Sequence, residues 1–351
     1  MATQLFGKTD DGDSCTLFTL NSGNGCNVSL SEFGAAITSI KLTNAHGVSQ
    51  EICLGFDVLD GQQKDRQHIG VTVGRYANRI ANACFELNGK TYHLDDNIPP
   101  HQLHGGHEGF GRKMWLGTSV LENENPVIRF TYTSPDGEMG YPGNVNCSVT
   151  YRLSSNNVLA ILYQAISDRD TYVNLTNHAY FNLGSRDHIL DHEVKIYAEA
   201  MTPVNRSLLV IGKIESTQHG QFNFSHSRPI RFGIENPNPQ MRLAGGYDIN
   251  YIIGLNDGKL KPHAVVCCAE TGIKLVVKST QPCLQFYTGN NLNNTPARDG
   301  TRLKKHGGFC LEAQDYPNGM NVDNLLVKPL KAGELYHQVI EYHFSTYEAS
   351  E

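Results

Sequence analysis

Apolar and polar residues alternate with a period of two along much of this chain. The clearest run sets Val145, Cys147, Val149, Tyr151 and Leu153 against Asn146, Ser148, Thr150 and Arg152, which predicts a strand with one face on a core and one in water. The same period marks Ile128, Phe130 and Tyr132, then Ile273, Leu275 and Val277, then Ile340, Tyr342 and Phe344. Strands are therefore expected from one end to the other. Asn88-Gly89 sits between the β-like runs Phe85–Leu87 and Lys90–Tyr92, the pair a type I′ hairpin turn requires because both central residues take positive φ. Helical periodicity is weak, since 34 glycines and 14 prolines interrupt most windows. With no repeat, low-complexity block or linker, the pattern predicts an all-β chain: a large antiparallel β-sandwich with few short helices, residues 1–351 forming a single domain.

Composition narrows the function. A chain of 351 residues with 39% hydrophobic content can bury a large core. Charged residues make up 18% and the formal net charge is −6, so no basic field exists for nucleic acid or an anionic membrane. The start, Met1 to Lys8, has no apolar run of signal-peptide length, and no later stretch approaches the ~20 apolar residues of a membrane span. Nine cysteines lie scattered in strand-like segments, which fits packing thiols in a reducing cytoplasm better than a disulfide framework.

Several motifs fail on inspection. Gly7-Lys8-Thr9 and Gly89-Lys90-Thr91 look like phosphate loops, but the leading glycine of that motif falls on Ala2 and Cys84. The glycines near Gly105-Gly106 and Gly109-Phe110-Gly111 lack dinucleotide spacing and a surrounding βαβ pattern. His101, His104 and His107 recur every three residues in a glycine-rich loop, where that spacing fixes no common face. No carboxylate or cysteine completes a ligand pattern, so no metal is expected. His188 and His192 lack the adjacent glutamate of the His-Glu-x-x-His motif and read as solvated or capping residues. Cys267-Cys268 reads as packing cysteine in a buried strand.

Three loop-like segments concentrate polar and aromatic residues. The first runs Gly74-Arg75-Tyr76-Ala77-Asn78-Arg79-Ile80, followed by Leu103-His104-Gly105-Gly106, Gly109-Phe110 and Trp115. Its amide and guanidinium donors suit sugar hydroxyls and its rings suit an apolar sugar face; surface polarity around a turn explains them equally well. The second, Asn174 to Leu183, sets His178 among aromatics and amides, where a satisfied core histidine is the plain alternative. The third, Gly307 to Asn318, ends an apolar run at Glu312, which as a lone carboxylate also fits a salt-bridge role.

Taken in order, six motifs resemble the aldose 1-epimerase (galactose mutarotase) family. They are Gly74-Arg75-Tyr76-Ala77-Asn78-Arg79-Ile80-Ala81, Leu103-His104-Gly105-Gly106 with Gly109-Phe110 and Trp115, Asn177-His178-Ala179-Tyr180-Phe181-Asn182-Leu183, Gly246-Tyr247-Asp248, Leu284-Gln285-Phe286-Tyr287-Thr288-Gly289-Asn290, and Leu311-Glu312-Ala313-Gln314. The resemblance extends from about residue 30 to the C-terminus. It implies a galactose mutarotase-like supersandwich that needs no cofactor and interconverts the anomers of small free aldoses such as galactose and glucose, as a monomer or homodimer. It implies Glu312 as general base and His178 as general acid, with Asn78 and Arg79 on hydroxyls, His104 near the ring oxygen, Asp248 on remote hydroxyls and Gln285 lining the pocket. Tyr180 is a candidate wall, while Trp115 fits core packing better. Free glutamate and histidine titrate near 4.3 and 6.5, so the carboxylate is ready as base, whereas the imidazole must keep its proton, helped by a nearby anion. Two positions depart from the family: Ile249 stands where histidine is frequent and Ala179 where serine is common, which puts fine sugar preference in question. Rival readings are a noncatalytic sugar-binding module, a glycosidase pairing Glu312 with Asp248 or Asp315, and a hexose-phosphate epimerase using Arg75, Arg79 and Arg112.

Overall fold

A computed structural model of the chain describes residues 2–122, 125–325 and 327–347. The alternating runs become a nine-stranded antiparallel sheet, in the order Leu116–Glu122, Asn125–Ser134, Val145–Leu153, Val158–Ser167, Leu335–Thr346, Ile273–Ser279, Lys261–Cys268, Glu193–Ile196 and Arg228–Pro229. All four strands expected from the period-two pattern lie in it. Thr150, expected on the wet face, is instead buried, and its hydroxyl accepts from Arg129 Nε at 3.4 Å. The Asn88-Gly89 hairpin joins Cys84–Leu87 to Lys90–His93, with φ of 53° and 73° at the two turn residues.

Two smaller sheets pack against this one. The strands Ala2–Lys8, Ser14–Asn21, Cys26–Ser31, Ala36–Thr43 and Ser49–Glu51 form a meander. Phe18 of the meander meets Phe130 of the large sheet edge to face, centroids 5.7 Å apart, and the buried Tyr151 hydroxyl donates to the Ala35 carbonyl at 2.7 Å. Burying side chains of this size contributes on the order of 1.5–3 kcal/mol each, which makes such contacts the glue of the sandwich. The other sheet runs Glu215–Ser216, Ala200–Thr202, Asp248–Ile252, Cys283–Tyr287 and Cys310–Gln314. Among the described residues the α-helices are three short ones, Leu59–Lys64, Arg231–Glu235 and Pro239–Ala244.

This last sheet positions the chemistry. Its strands Cys283–Tyr287 and Cys310–Gln314 are buried at every residue, so neither shows the alternation of a half-wet strand. Their two faces still differ. Ile249, Tyr251, Leu284, Phe286, Leu311 and Ala313 join the main hydrophobic core, whereas Asp248, Asn250, Gln285, Glu312 and Gln314 alternate with them and share the opposite face. Antiparallel register sets Asn250, Gln285 and Glu312 abreast in one row.

Candidate active site

All eight residues singled out in the sequence converge on one cavity of about 160 Å³. Asn78, Arg79, His104, His178, Tyr180, Asp248, Gln285 and Glu312 line it, together with Arg66, Gln67, His68, Leu103, Tyr287 and Asn291. The three-stranded row supplies its floor. Gln285 Nε2 donates to Asp248 Oδ1 at 2.5 Å, while Gln314 Nε2 donates to Asn250 Oδ1 at 3.0 Å and to Gln285 Oε1 at 3.3 Å. These bonds fix which end of each amide faces which neighbour. Arg79 approaches Asp248 at 3.8 Å, so the aspartate presents a braced carboxylate.

His178 enters from irregular chain, and the amides flanking it explain how. The short pairing of Thr176–Asn177 with Thr72–Val73 carries the histidine to the cavity edge. Asn177 donates to the Gly70 carbonyl at 3.0 Å and accepts from the Ala179 amide, while Asn182 donates to the carbonyls of Arg186 and Gly307. Buried backbone outside regular ladders must still be paired, and these asparagines do the pairing instead of facing solvent. Gly70 secures the other side: its amide donates to the His178 carbonyl at 2.9 Å. A Cβ there would lie 1.9 Å from the Ile37 carbonyl oxygen, and φ is +75°, so only glycine fits.

His178 Nε2 lies 3.7 Å from Glu312 Oε2. The ring lies roughly parallel to Tyr180, at 5.0 Å and 25°, and to His68, at 5.9 Å and 29°. Tyr180 is anchored by its hydroxyl on the Gln67 carbonyl at 2.9 Å. Both members of the pair are buried, His178 at 5% exposure and Glu312 at 2%. Burial, then the Asp248 carboxylate, pushes Glu312 well above the ordinary glutamate range, with Arg79 pulling the other way. Burial, then the charge of a protonated His68, pushes His178 down to about 3. This corrects the expectation that a nearby anion keeps the imidazole protonated at rest, because desolvation opposes both charges. Burial thus favours the neutral imidazole and the protonated carboxyl, and at 3.7 Å the two do not hydrogen-bond directly.

His104 plays a different part. Its Nδ1 accepts the Asn78 amide at 3.2 Å, so we assign the neutral tautomer with hydrogen on Nε2. One ligand atom each from His104, His178 and Glu312 can be chosen so that all lie within 4.8 Å of one another, a spread that invites a metal. A metal on His104 Nε2 would force the proton onto Nδ1, against the Asn78 N–H, so this imidazole is built as a hydrogen-bond donor. The other loop histidines diverge as their spacing allowed: His101 accepts from the Asn82 amide, and His107 pairs with Asp95 at 2.6 Å. His192 accepts the Leu183 amide and His188 that of Leu190.

Strain gathers here. Asn78, His104 and His68 all adopt left-handed backbone, with φ of 70°, 52° and 59°. Such conformations cost about 1–3 kcal/mol each outside glycine and cluster at functional sites. His68 was missed in the sequence, where Asp65-Arg66-Gln67-His68 carries no motif, and its positive φ leaves no local signature. Asn291 was missed too, although it follows the quoted Leu284–Asn290 motif, which also contains Tyr287.

Other candidates lie elsewhere. Trp115 packs on Phe110 and Tyr132 and donates to the Phe110 carbonyl, a core role. Arg75 is buried against the Ser134 and Pro142 carbonyls. Asp315 does not line the cavity. Ile249 and Ala179, the two departures, are each 1% exposed within the hydrophobic core, so neither faces the cavity.

A model of the aldose 1-epimerase family matches residues 16–343. The chain belongs to the aldose 1-epimerase family. Like it is a galactose mutarotase of Rattus norvegicus, 38% identical over 347 residues, with 97% of each chain covered. An aldose 1-epimerase of Haemophilus influenzae is 34% identical, covering 98% of this chain and all of its own. The fold matches a GalM/aldose epimerase homologue from C. elegans at a TM-score of 0.86 and 27% identity, over 94% of this chain and 98% of that one. As an aldose 1-epimerase family member, the chain is an isomerase with the β-rich architecture that its alternation predicted.

Proposed function

We propose that this cavity interconverts the α and β anomers of a free hexose such as galactose or glucose, without a cofactor. The observation that carries the reading is the buried pair His178 Nε2 and Glu312 Oε2, 3.7 Å apart at the wall of one polar cavity. Glu312 Oε2 has no hydrogen-bond partner within the protein, and an anomeric hydroxyl would supply one. A cyclic aldose is a hemiacetal. In the form with a proton on His178 and none on Glu312, Glu312 takes the anomeric hydroxyl proton while His178 protonates the ring oxygen, and the bond between C1 and that oxygen breaks. Rotation about C1–C2 turns the aldehyde over. Each group then returns its proton as the ring recloses on the other carbonyl face, giving the opposite anomer with no redox change.

The remaining residues hold the sugar. Asp248 accepts from a vicinal diol, Arg79 and Asn78 donate to hydroxyls, His104 donates from Nε2 near the ring oxygen, Gln285 braces Asp248, and Tyr180 forms a wall. We take residues 1–351 as one such domain. Nine free cysteines favour a cytoplasmic setting, and no described helix is long and apolar enough to cross a membrane. A monomer or homodimer handling small sugars, rather than a nucleic-acid or membrane partner, fits the net charge of −6.

Polarimetry of freshly dissolved α-galactose and α-glucose tests this: the protein should accelerate the approach to equilibrium, and an unchanged rate would sink the proposal. A phosphorylated hexose is the second reading, since Arg66 and Arg112 border a cavity that shares His68 with the catalytic one. Galactose 6-phosphate against galactose in the same assay separates them. Release of reducing sugar from a glycoside would instead favour the glycosidase.

A further inference from the structure

The catalytic imidazole has a neighbour that the proposed reaction leaves without a role. Strand alternation puts Cys310 on the same face as Glu312, two residues away, and Cys310 Sγ lies 3.5 Å from His178 Nδ1, on the ring edge away from Glu312. The thiol is fully buried. Tyr180 and His68 lie roughly parallel to the ring and hold its plane, so the tautomer is what remains to be set. Nδ1 meets the sulfur, which can accept from an Nδ1–H.

We propose that Cys310 is a positioning residue that holds His178 in the Nδ1–H tautomer, so that Nε2 alone exchanges the catalytic proton. This rests on the reading of His178 as the acid. His104 shows the opposite arrangement, because an amide N–H at its Nδ1 sends the proton to Nε2. The two imidazoles that meet in the cavity are thus locked in opposite tautomers, one as a fixed donor and one as a proton carrier. A thiol suits the carrier. A carboxylate at this position would stabilise the imidazolium and weaken its acidity, whereas a neutral sulfur orients the ring without adding charge. Burial and the nearby Glu312 carboxylate keep the thiol protonated by holding it well above the usual cysteine range.

The test uses the full chain with 15N-labelled histidine. The groups facing His178 are Glu312, His68, His104, Tyr180, Tyr287 and Cys310, and none but Cys310 is altered. In wild type the His178 nitrogens should read as protonated Nδ1 and bare Nε2 near neutral pH. C310A should mix the tautomers and lower kcat for galactose on the order of ten-fold, a fraction of what a general acid contributes, with KM nearly unchanged. C310S, whose hydroxyl also accepts, should restore both. A C310A protein with the wild-type tautomer and kcat overturns the proposal. So does an equal loss in C310A and C310S with a lowered Tm and an unmoved tautomer, which is a packing role. A wild-type protein that fails to mutarotate any aldose defeats the functional reading alone, since the nitrogen shifts still decide the part played by Cys310.

Discussion

Gln285 stands directly across the strand pairing from Glu312 and, from the same side chain, donates to Asp248 at 2.5 Å. One side chain thus stands between the proposed base and the carboxylate proposed to grip the far hydroxyls. Because Gln314 donates to Gln285 Oε1, the Gln285 NH₂ end is committed to Asp248.

Gln285→Ala should therefore act on binding more than on chemistry. A hydrogen bond to a charged group is worth about 1.5–3 kcal/mol, so KM for galactose should rise roughly ten-fold or more while kcat changes little. Steady-state polarimetry checks this, and a kcat loss at constant KM would place Gln285 at the reacting centre instead.

Glu312→Gln removes the base but not its shape. Mutarotation should fall by at least about 10²-fold, the low end of acid–base contributions. Stability should hold or rise, because a buried carboxyl gives way to a neutral amide. Rates near wild type in a folded variant would refute the assignment.

How much of this was legible in the chain depends on burial. Val145–Leu153 alternates because one of its faces is wetter, and its period is visible. Cys310–Gln314 is buried on both faces, so its local pattern placed Glu312 only loosely, at the end of an apolar run, when it lies mid-strand. The ordered motifs identified Glu312 where periodicity did not. His68 stayed hidden because its place depends on tertiary packing against His104 and His178. The direction in which burial moves the acid–base pair was equally invisible, since desolvation is a property of the fold.

The pH profile follows from that burial. Exposed partners would lose activity in acid near 4.3, as the carboxylate protonates, and in alkali near 6.5, as the imidazole deprotonates. In the buried pair the imidazole gains a proton only at about 3, and the Glu312 carboxyl loses its proton only well above the usual glutamate range. The acid limb of kcat/KM should lie below the ordinary glutamate value; a limb between pH 4 and 5 would show Glu312 titrating as though in water.

Gly70→Ala tests the support of His178 from outside the cavity. The added Cβ meets the Ile37 carbonyl at 1.9 Å, in backbone that disfavours it, so the chain must shift where the Gly70 amide holds the His178 carbonyl. Loss of Tm by several degrees together with a fall in kcat is expected. Wild-type kcat in this variant would mean that the His178 loop is held by its asparagines alone.

Acid sensitivity of the fold should trace to His192, which does not line the cavity. Its ring is 2% exposed, and Nε2 accepts the Leu183 amide at 2.9 Å, a bond that exists only while Nε2 is bare. Burial holds its pKa down to about 4, whereas in the unfolded chain it titrates near 6.5. Between these values the unfolded state binds the extra proton, so stability rises with pH across this window and is lost as pH falls from 6.5 toward 4. A shift of this size corresponds to roughly 3 kcal/mol. His192→Gln keeps an acceptor for the Leu183 amide but cannot titrate, so its Tm should fall less than that of wild type between pH 7 and pH 4.5. Parallel curves for the two proteins would assign the acid sensitivity to other buried histidines, such as His263, also held down to about 4 by burial.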